Sequence, residues 1–303
     1  MSYPKKVILK EVAPRDGWQK FPQILSTEWK VRQILRMIDY GAQELEIGVF
    51  ENNPLLIRQY QDLEELCREI LPVTESSGVV LNAIVGNKDN LIHAKTCGIH
   101  KADFFISVSE KFGKGFGVTE EEAFRNLEEM MTIPGVEVRM ALGAVFGSPF
   151  GDETPVERTI RYIQRGLELG IQNFGLADSA GRSDPLHTEE ILQEVRNVLL
   201  PEQVTLHIHN TEGFGLANCC KAMEMGFFRF DTSLAGMGGC PVIPDAKGNI
   251  STEDFVNLLN KMNIDCDINL DKCVDASLRM SEELELNHIS CIGEKKFLEG
   301  KKK

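Results

Sequence analysis

The sequence has no Cys-x-x-Cys pair, no apolar run near the roughly 18 residues that a membrane span needs, and no Gly-x-Gly-x-x-Gly after its first apolar run. Each absence excludes something. Eight cysteines fall among 303 residues, two of them adjacent at Cys219 and Cys220, a spacing that suits neither a zinc knuckle nor a disulfide framework. They read as reduced thiols. The stretch Met1 to Lys10 carries lysines but no apolar segment before a cleavage site, so the expectation is a cytoplasmic chain without a leader and without a membrane partner. Positive charge is also scarce: 33 Lys and Arg stand against 46 Asp and Glu, a net charge of −13, which argues against nucleic acid as a partner. Aromatic residues make up only 7%, beside 42% apolar and 26% charged residues, and that ordinary balance excludes disorder and collagen-like repeats.

What is present is an alternation of short β-branched runs with longer amphipathic stretches. The first run, 7–12, leads to Ser26 as a helix cap and to Val31, Ile34, Leu35 and Ile38 at helical spacing, ending near Gly41. The same pattern predicts strands at 45–50, 79–85, 104–108, 136–145, 174–176, 204–209 and 228–231. Helices are predicted from about Pro54, Asp89, Thr119, Thr154, Asp184 and Gly213, and from Ser251 or Thr252; Thr119 with Glu122 and Thr154 with Glu157 read as capping boxes. Eight strand–helix units in about 250 residues imply an α/β fold, a closed eight-stranded parallel TIM barrel. An open doubly wound sheet is the alternative, and it lacks its glycine fingerprint. No linker divides the chain, so one catalytic domain over 1–303 is expected, with the barrel at about 5–265 and additional C-terminal helices over 266–303.

In such a barrel, chemistry gathers where strands end and loops begin. After the first strand comes the segment from Ala13 to Gln19, holding Arg15 and Asp16 side by side, either a surface ion pair or part of a site. His207 and His209 lie two apart on the seventh strand, so they share a face and can grip one metal ion; two packed core histidines are the alternative. Oxygen donors such as Asp16 and the Asn249 amide would complete an octahedral site, which favours Mg²⁺ or Mn²⁺ over structural zinc. The glycine-dense loop from Ala235 to Pro241 carries Cys240, either a proton donor on a mobile lid or a bystander in a turn. Glu46 and Asp178, at the ends of the second and sixth strands, are further acidic candidates, though each could be a solvated loop carboxylate.

Taken together, these segments resemble the 3-hydroxy-3-methylglutaryl-CoA lyase family, barrel metal-dependent C–C lyases related to Claisen-type synthases. The likeness runs from about Glu11 to Asn269 through Pro14-Arg15-Asp16-Gly17, Ser109-Glu110-Lys111-Phe112, Phe146-Gly147-Ser148-Pro149-Phe150, the segment from Leu176 to Gly181, the histidine pair and Gly238-Gly239-Cys240-Pro241. The resemblance implies metal ligation by Asp16, His207, His209 and Asn249, and enolate stabilisation by Arg15. It makes Cys240 the acid/base on the lid, with Glu46 and Asp178 supporting proton transfer and Gln19 binding substrate. The implied reaction cleaves a hydroxymethylglutaryl-CoA-like thioester to acetyl-CoA and acetoacetate, with an acyl-CoA as partner and a homodimer as the expected assembly. A condensing synthase of citramalate or homocitrate type, or a silent acyl-CoA-binding barrel, are the rival readings. The chain departs from the family at Val49 to Leu56, at Trp18, at Asn210 and at Gly115 to Gly117, and these differences bear on the acyl group more than on the reaction.

Overall fold

The computed structural model describes residues 3–19, 21–51, 57–115, 117–239, 243, 247–286 and 290–300. Within them eight parallel strands close into a barrel in chain order: β1 (Ile8–Glu11), β2 (Glu44–Phe50), β3 (Val80–Val85), β4 (Lys101–Ser107), β5 (Glu137–Gly143), β6 (Phe174–Asp178), β7 (Val204–Ile208) and β8 (Arg229–Thr232). Closure is made by β1 pairing with β8, Lys10 opposite Asp231. Helices lie between the strands: α1 (Thr27–Tyr40), α2 (Leu63–Ser77), α3 (Lys88–Thr96), α4 (Glu110–Lys114), α5 (Glu120–Met130), α6 (Val156–Glu168), α7 (Pro185–Val195) and α8 (Gly215–Glu224). After β8 come α9 (Thr252–Lys261) and the added helices α10 (Leu270–Glu283) and α11 (Cys291–Gly300). The expected TIM barrel with C-terminal additions is therefore present.

Several boundaries differ for local reasons. β4 starts at Lys101 rather than 104, because its register with β5 begins at Lys101 opposite Glu137. β5 stops at Gly143 rather than 145, where Ala144 turns the chain at φ 58°. The Thr119 capping box forms. The Thr154 box does not: α6 begins at Val156 with Pro155 in the capping position, which leaves the threonine hydroxyl one residue too early to reach the first turn. Pro54, the expected start of a helix, lies outside the described residues. The short α4 was not anticipated; Ser109 caps it by accepting from the Phe112 N–H.

Strand side chains alternate between two environments. Leu45 and Ile47 of β2, with Leu206, Ile208 and Phe230 farther round, are buried against the helices, where Ile34, Met37 and Phe255 meet them. The intervening positions face the lumen and are charged: Lys10, Glu46, Asp103, Arg139 and Asp231 are all buried and bonded to one another. Such charges persist in a dry interior only when paired. The C-terminal helices brace the first unit, since Asn269 N–H donates to the Tyr40 carbonyl and Glu283 pairs with Arg36 at 2.9 Å. Gly41, at φ 107°, has no room for a side chain, because a Cβ there would stand 2.4 Å from the Asp267 carbonyl oxygen.

Because only one of the two caps exists, Thr119→Ala should lower the unfolding free energy by about 1 kcal/mol, whereas Thr154→Ala should change it by less than about 0.5 kcal/mol. Urea midpoints of the two variants measured side by side check this; equal losses would contradict it.

Candidate active site

At the end of β1 the chain makes one wide π-helical turn, Ala13–Gly17, in which the Val12 carbonyl accepts the Asp16 N–H at 2.7 Å. This turn swings Arg15 and Asp16 over the barrel mouth. Gly17 permits it, as a Cβ there would already lie 3.0 Å from the Met237 Cβ. The Glu11 carboxylate fastens the turn from below: it accepts from Ala13 N–H at 2.8 Å, Leu234 N–H at 2.9 Å, Tyr40 Oη at 2.6 Å and Thr252 Oγ1 at 2.7 Å. One buried carboxylate thus ties together the loops after β1 and β8 and helices α1 and α9.

Asp16 is claimed from two sides. Arg15 Nη1 donates to its Oδ1 at 2.6 Å, and Asn249 Nδ2 donates to its Oδ2 at 2.6 Å. Burial would raise its pKa, but the Arg15 guanidinium, with help from the histidines and Asn249, outweighs that and holds the carboxyl far below the usual carboxylate range. Arg15 Nε also donates to Glu46, and Tyr60 Oη donates to the Arg15 carbonyl oxygen, so both ends of the arginine are fixed. Glu46 in turn receives Lys10 Nζ at 2.6 Å.

The strand β7 delivers the two imidazoles. His207 Nε2 and His209 Nε2 stand 3.0 Å apart, and His209 Nε2 lies 3.8 Å from Asp16 Oδ2. Residues 248–250 are zipped onto the end of β7: Asn210 N–H donates to the Gly248 carbonyl and Ile250 N–H to the Ile208 carbonyl. That pairing brings Asn249 beside Asp16. Gly238, at φ 129°, completes the cradle, since a Cβ there would fall 2.4 Å from Asp16 Oδ2.

Does this donor set suit a divalent cation? One ligand atom from each of Asp16, His207 and His209 lies within 4.8 Å of the others, and the buried Asn249 Oδ1 has no hydrogen-bond partner. Two imidazole nitrogens and a carboxylate, with an unpaired amide oxygen alongside, form a mixed N/O set. The residues fit.

Asp16, His207 and His209 line a cavity of about 670 Å³. Arg15, Asp16, Gln19, Glu46, His207 and His209 all face it, so the structure gathers six of the nine expected site residues around one space. Asn249 stands just behind Asp16. Asp178 is different: it is fully buried and does not line the cavity. Its oxygens accept the Gly181 N–H at 2.8 Å and the Ser183 N–H at 3.1 Å, which braces the turn after β6. Cys240 lies outside the described residues. Four lumen residues that motif reading passed over, Lys10, Asp103, Arg139 and Asp231, form the floor, and Asp231 Oδ2 sits 3.2 Å from His207 Nδ1. The signal that would have found three of them is a pair of charges two apart within a short strand, Lys101 and Asp103, Glu137 and Arg139, Arg229 and Asp231, which places both on one face.

Burial pushes the Asp178 carboxyl up to about 6 from 3.8, against the opposing pull of the Ser183 and Gly181 N–H groups. Between those values the folded chain holds a proton that the unfolded chain has released, so this group's contribution to stability falls as pH rises from about 4 to about 6. Asp178→Asn cannot ionise. Relative to wild type it should gain stability across that window, by up to about 3 kcal/mol, in urea titrations at a series of pH values; parallel curves would contradict the assignment.

Comparison with known proteins places the chain in a family. The HMGL-like family profile matches residues 6–279. Hydroxymethylglutaryl-CoA lyase YngG of Bacillus subtilis (strain 168) is 34% identical over 288 residues, covering 94% of this chain and 95% of that protein. The (R)-citramalyl-CoA lyase of Chloroflexus aurantiacus is 29% identical, covering 92% of this chain and 91% of that protein. Among solved structures, an HMG-CoA lyase from Acinetobacter baumannii in complex with coenzyme A and 3-methylmalate superposes with a TM-score of 0.91 at 29% identity, over 97% of this chain and 96% of that one. The chain belongs to the HMGL-like family.

Proposed function

We propose that this protein is a divalent-cation-dependent carbon–carbon lyase that cleaves a 3-hydroxy-3-methylglutaryl-CoA-like thioester to acetyl-CoA and acetoacetate. The observation that carries the reading is the convergence of Asp16, His207 and His209 at the wall of a cavity that Arg15 and Glu46 also line. The named lyases similar to this chain support the substrate class. Asp16, His207, His209 and Asn249 would hold the cation, with Mg²⁺ or Mn²⁺ suited to the mixed N/O donors. When bound, it supplies acidification of a substrate hydroxyl and alignment of two substrate oxygens.

The chain's own groups account for the remaining steps. The tertiary hydroxyl passes its proton to the Glu46 carboxylate on the cavity wall, the C2–C3 bond breaks, C3 becomes the ketone of acetoacetate, and the electron pair moves into the thioester enolate. Arg15, held rigidly by Glu46, Asp16 and Tyr60, presents a guanidinium to that enolate oxygen, where charge develops. Glu46 keeps the arginine oriented and receives charge support from Lys10. Gln19 on the cavity wall hydrogen-bonds the acyl portion. Cys240, in the glycine-dense segment after β8, protonates the enolate carbon and releases acetyl-CoA. Asp178 contributes by shaping the turn after β6.

The reading includes an acyl-CoA as partner and a cytoplasmic homodimer. No described helix is long and apolar enough to cross a membrane. The added helices offer a surface for pairing, with Phe297 and Leu298 of α11 exposed.

Incubation with a panel of 3-hydroxyacyl-CoAs, citramalyl-CoA included, should give acetyl-CoA and a keto acid in equal amounts with Mg²⁺ or Mn²⁺, and none after chelation. Absence of metal-dependent cleavage across the panel would refute the assignment, and free CoA appearing from acetyl-CoA and 2-keto acids would favour the condensing reading. In the same assay Arg15→Gln should lower kcat by about 10²–10³, and Cys240→Ser should cost turnover while leaving Mn²⁺ occupancy intact.

A further inference from the structure

Asp231 lies in the lumen directly beneath the histidine pair and is 2% exposed. Its Oδ2 is 3.2 Å from His207 Nδ1 and 3.4 Å from Arg139 Nη2, and its Oδ1 is 3.5 Å from Lys10 Nζ. Both cations are themselves held: Lys10 by Glu46 at 2.6 Å and Asp103 at 2.8 Å, Arg139 by Asp103 through its Nε at 2.8 Å. The carboxylate therefore cannot swing away from the imidazole without leaving two buried cations short of a partner.

The geometry of the imidazoles shows why this contact matters. With His207 Nε2 and His209 Nε2 only 3.0 Å apart, a proton on His207 Nε2 would make an ordinary hydrogen bond to its neighbour. That arrangement occupies both nitrogens that a cation would need. A carboxylate at Nδ1 favours the other tautomer, in which Nδ1 donates downward and Nε2 carries its lone pair toward Asp16.

We propose that Asp231, clamped by Lys10 and Arg139, is a positioning residue that locks His207 in the Nδ1–H tautomer and so keeps Nε2 free for the cation. The proposal rests on the reading that Asp16, His207 and His209 hold a divalent ion. Asp103 provides the control: it belongs to the same charge network but touches neither histidine.

The test uses calorimetric Mn²⁺ titration of the full chain with no substrate present. Asp231→Asn preserves shape, yet its amide can face Nδ1 with either oxygen or nitrogen and no longer selects a tautomer. It should weaken Mn²⁺ binding about 10- to 100-fold, while Asp103→Asn, which leaves the carboxylate at His207 Nδ1 in place, should lose less than about tenfold and keep the His207 proton on Nδ1. Nitrogen-15 spectra of the metal-free histidine rings should place the His207 proton on Nδ1 in wild type and shift it toward Nε2 in Asp231→Asn. Unchanged Mn²⁺ affinity in Asp231→Asn, or an equal loss in Asp103→Asn, overturns the proposal. A wild-type chain that binds no Mn²⁺ removes the reading beneath it. If Asp231→Asn does not fold, the wild-type ring spectrum decides, and a proton on His207 Nε2 overturns the assignment.

Discussion

The double claim on Asp16, by Arg15 from its own turn and by Asn249 from a segment more than two hundred residues away, is the contact on which the site depends. Neither donor would be in place without the backbone around it. The π-helical turn aims Arg15 and Asp16 inward, and the zipping of 248–250 onto β7 carries Asn249 to meet them beside His209. Glu11 holds the two loops in register from underneath. Charge and topology are thus solved together, because closing the barrel is what brings the first and last strand ends side by side.

The lumen repeats that logic at greater depth. A barrel interior filled with branched apolar residues would be more economical, since buried ions repay their desolvation only with near-complete pairing. Here three carboxylates and two cations pair with one another, and Arg15 joins them from above. The arrangement costs stability in isolation. What it supplies is rigidity under Glu46 and His207, two side chains on which the proposed chemistry depends. The apolar contacts between sheet and helices, from Ile47 to Phe255, carry the burden of holding the fold together.

Much of this was legible in the sequence, and for physical reasons. Period-two and period-3.6 patterns survive in almost every unit, so eight strands and their helices could be counted, and two histidines spaced by one residue on a strand must share a face. The Thr119 cap was readable because hydroxyl and carboxylate sit at the required spacing; the same spacing at Thr154 misled, because Pro155 delays the helix by one residue. The lumen charges escaped notice because a charged residue such as Lys10 or Asp231 in a short strand looks the same whether it points to solvent or to the barrel axis, and only closure decides. Asp178 stands at the strand end where it was expected, yet no pattern distinguishes a carboxylate facing a cavity from one accepting backbone amides.

The central claim is that four side chains from distant parts of the chain share one cation. Anomalous diffraction from a crystal of the full chain soaked in Mn²⁺ tests it most directly. The account predicts a single strong peak roughly 2.0–2.3 Å from an Asp16 oxygen and from Nε2 of both His207 and His209, with the Asn249 amide oxygen adjacent. A peak held by other residues, or none at the barrel mouth, would contradict it.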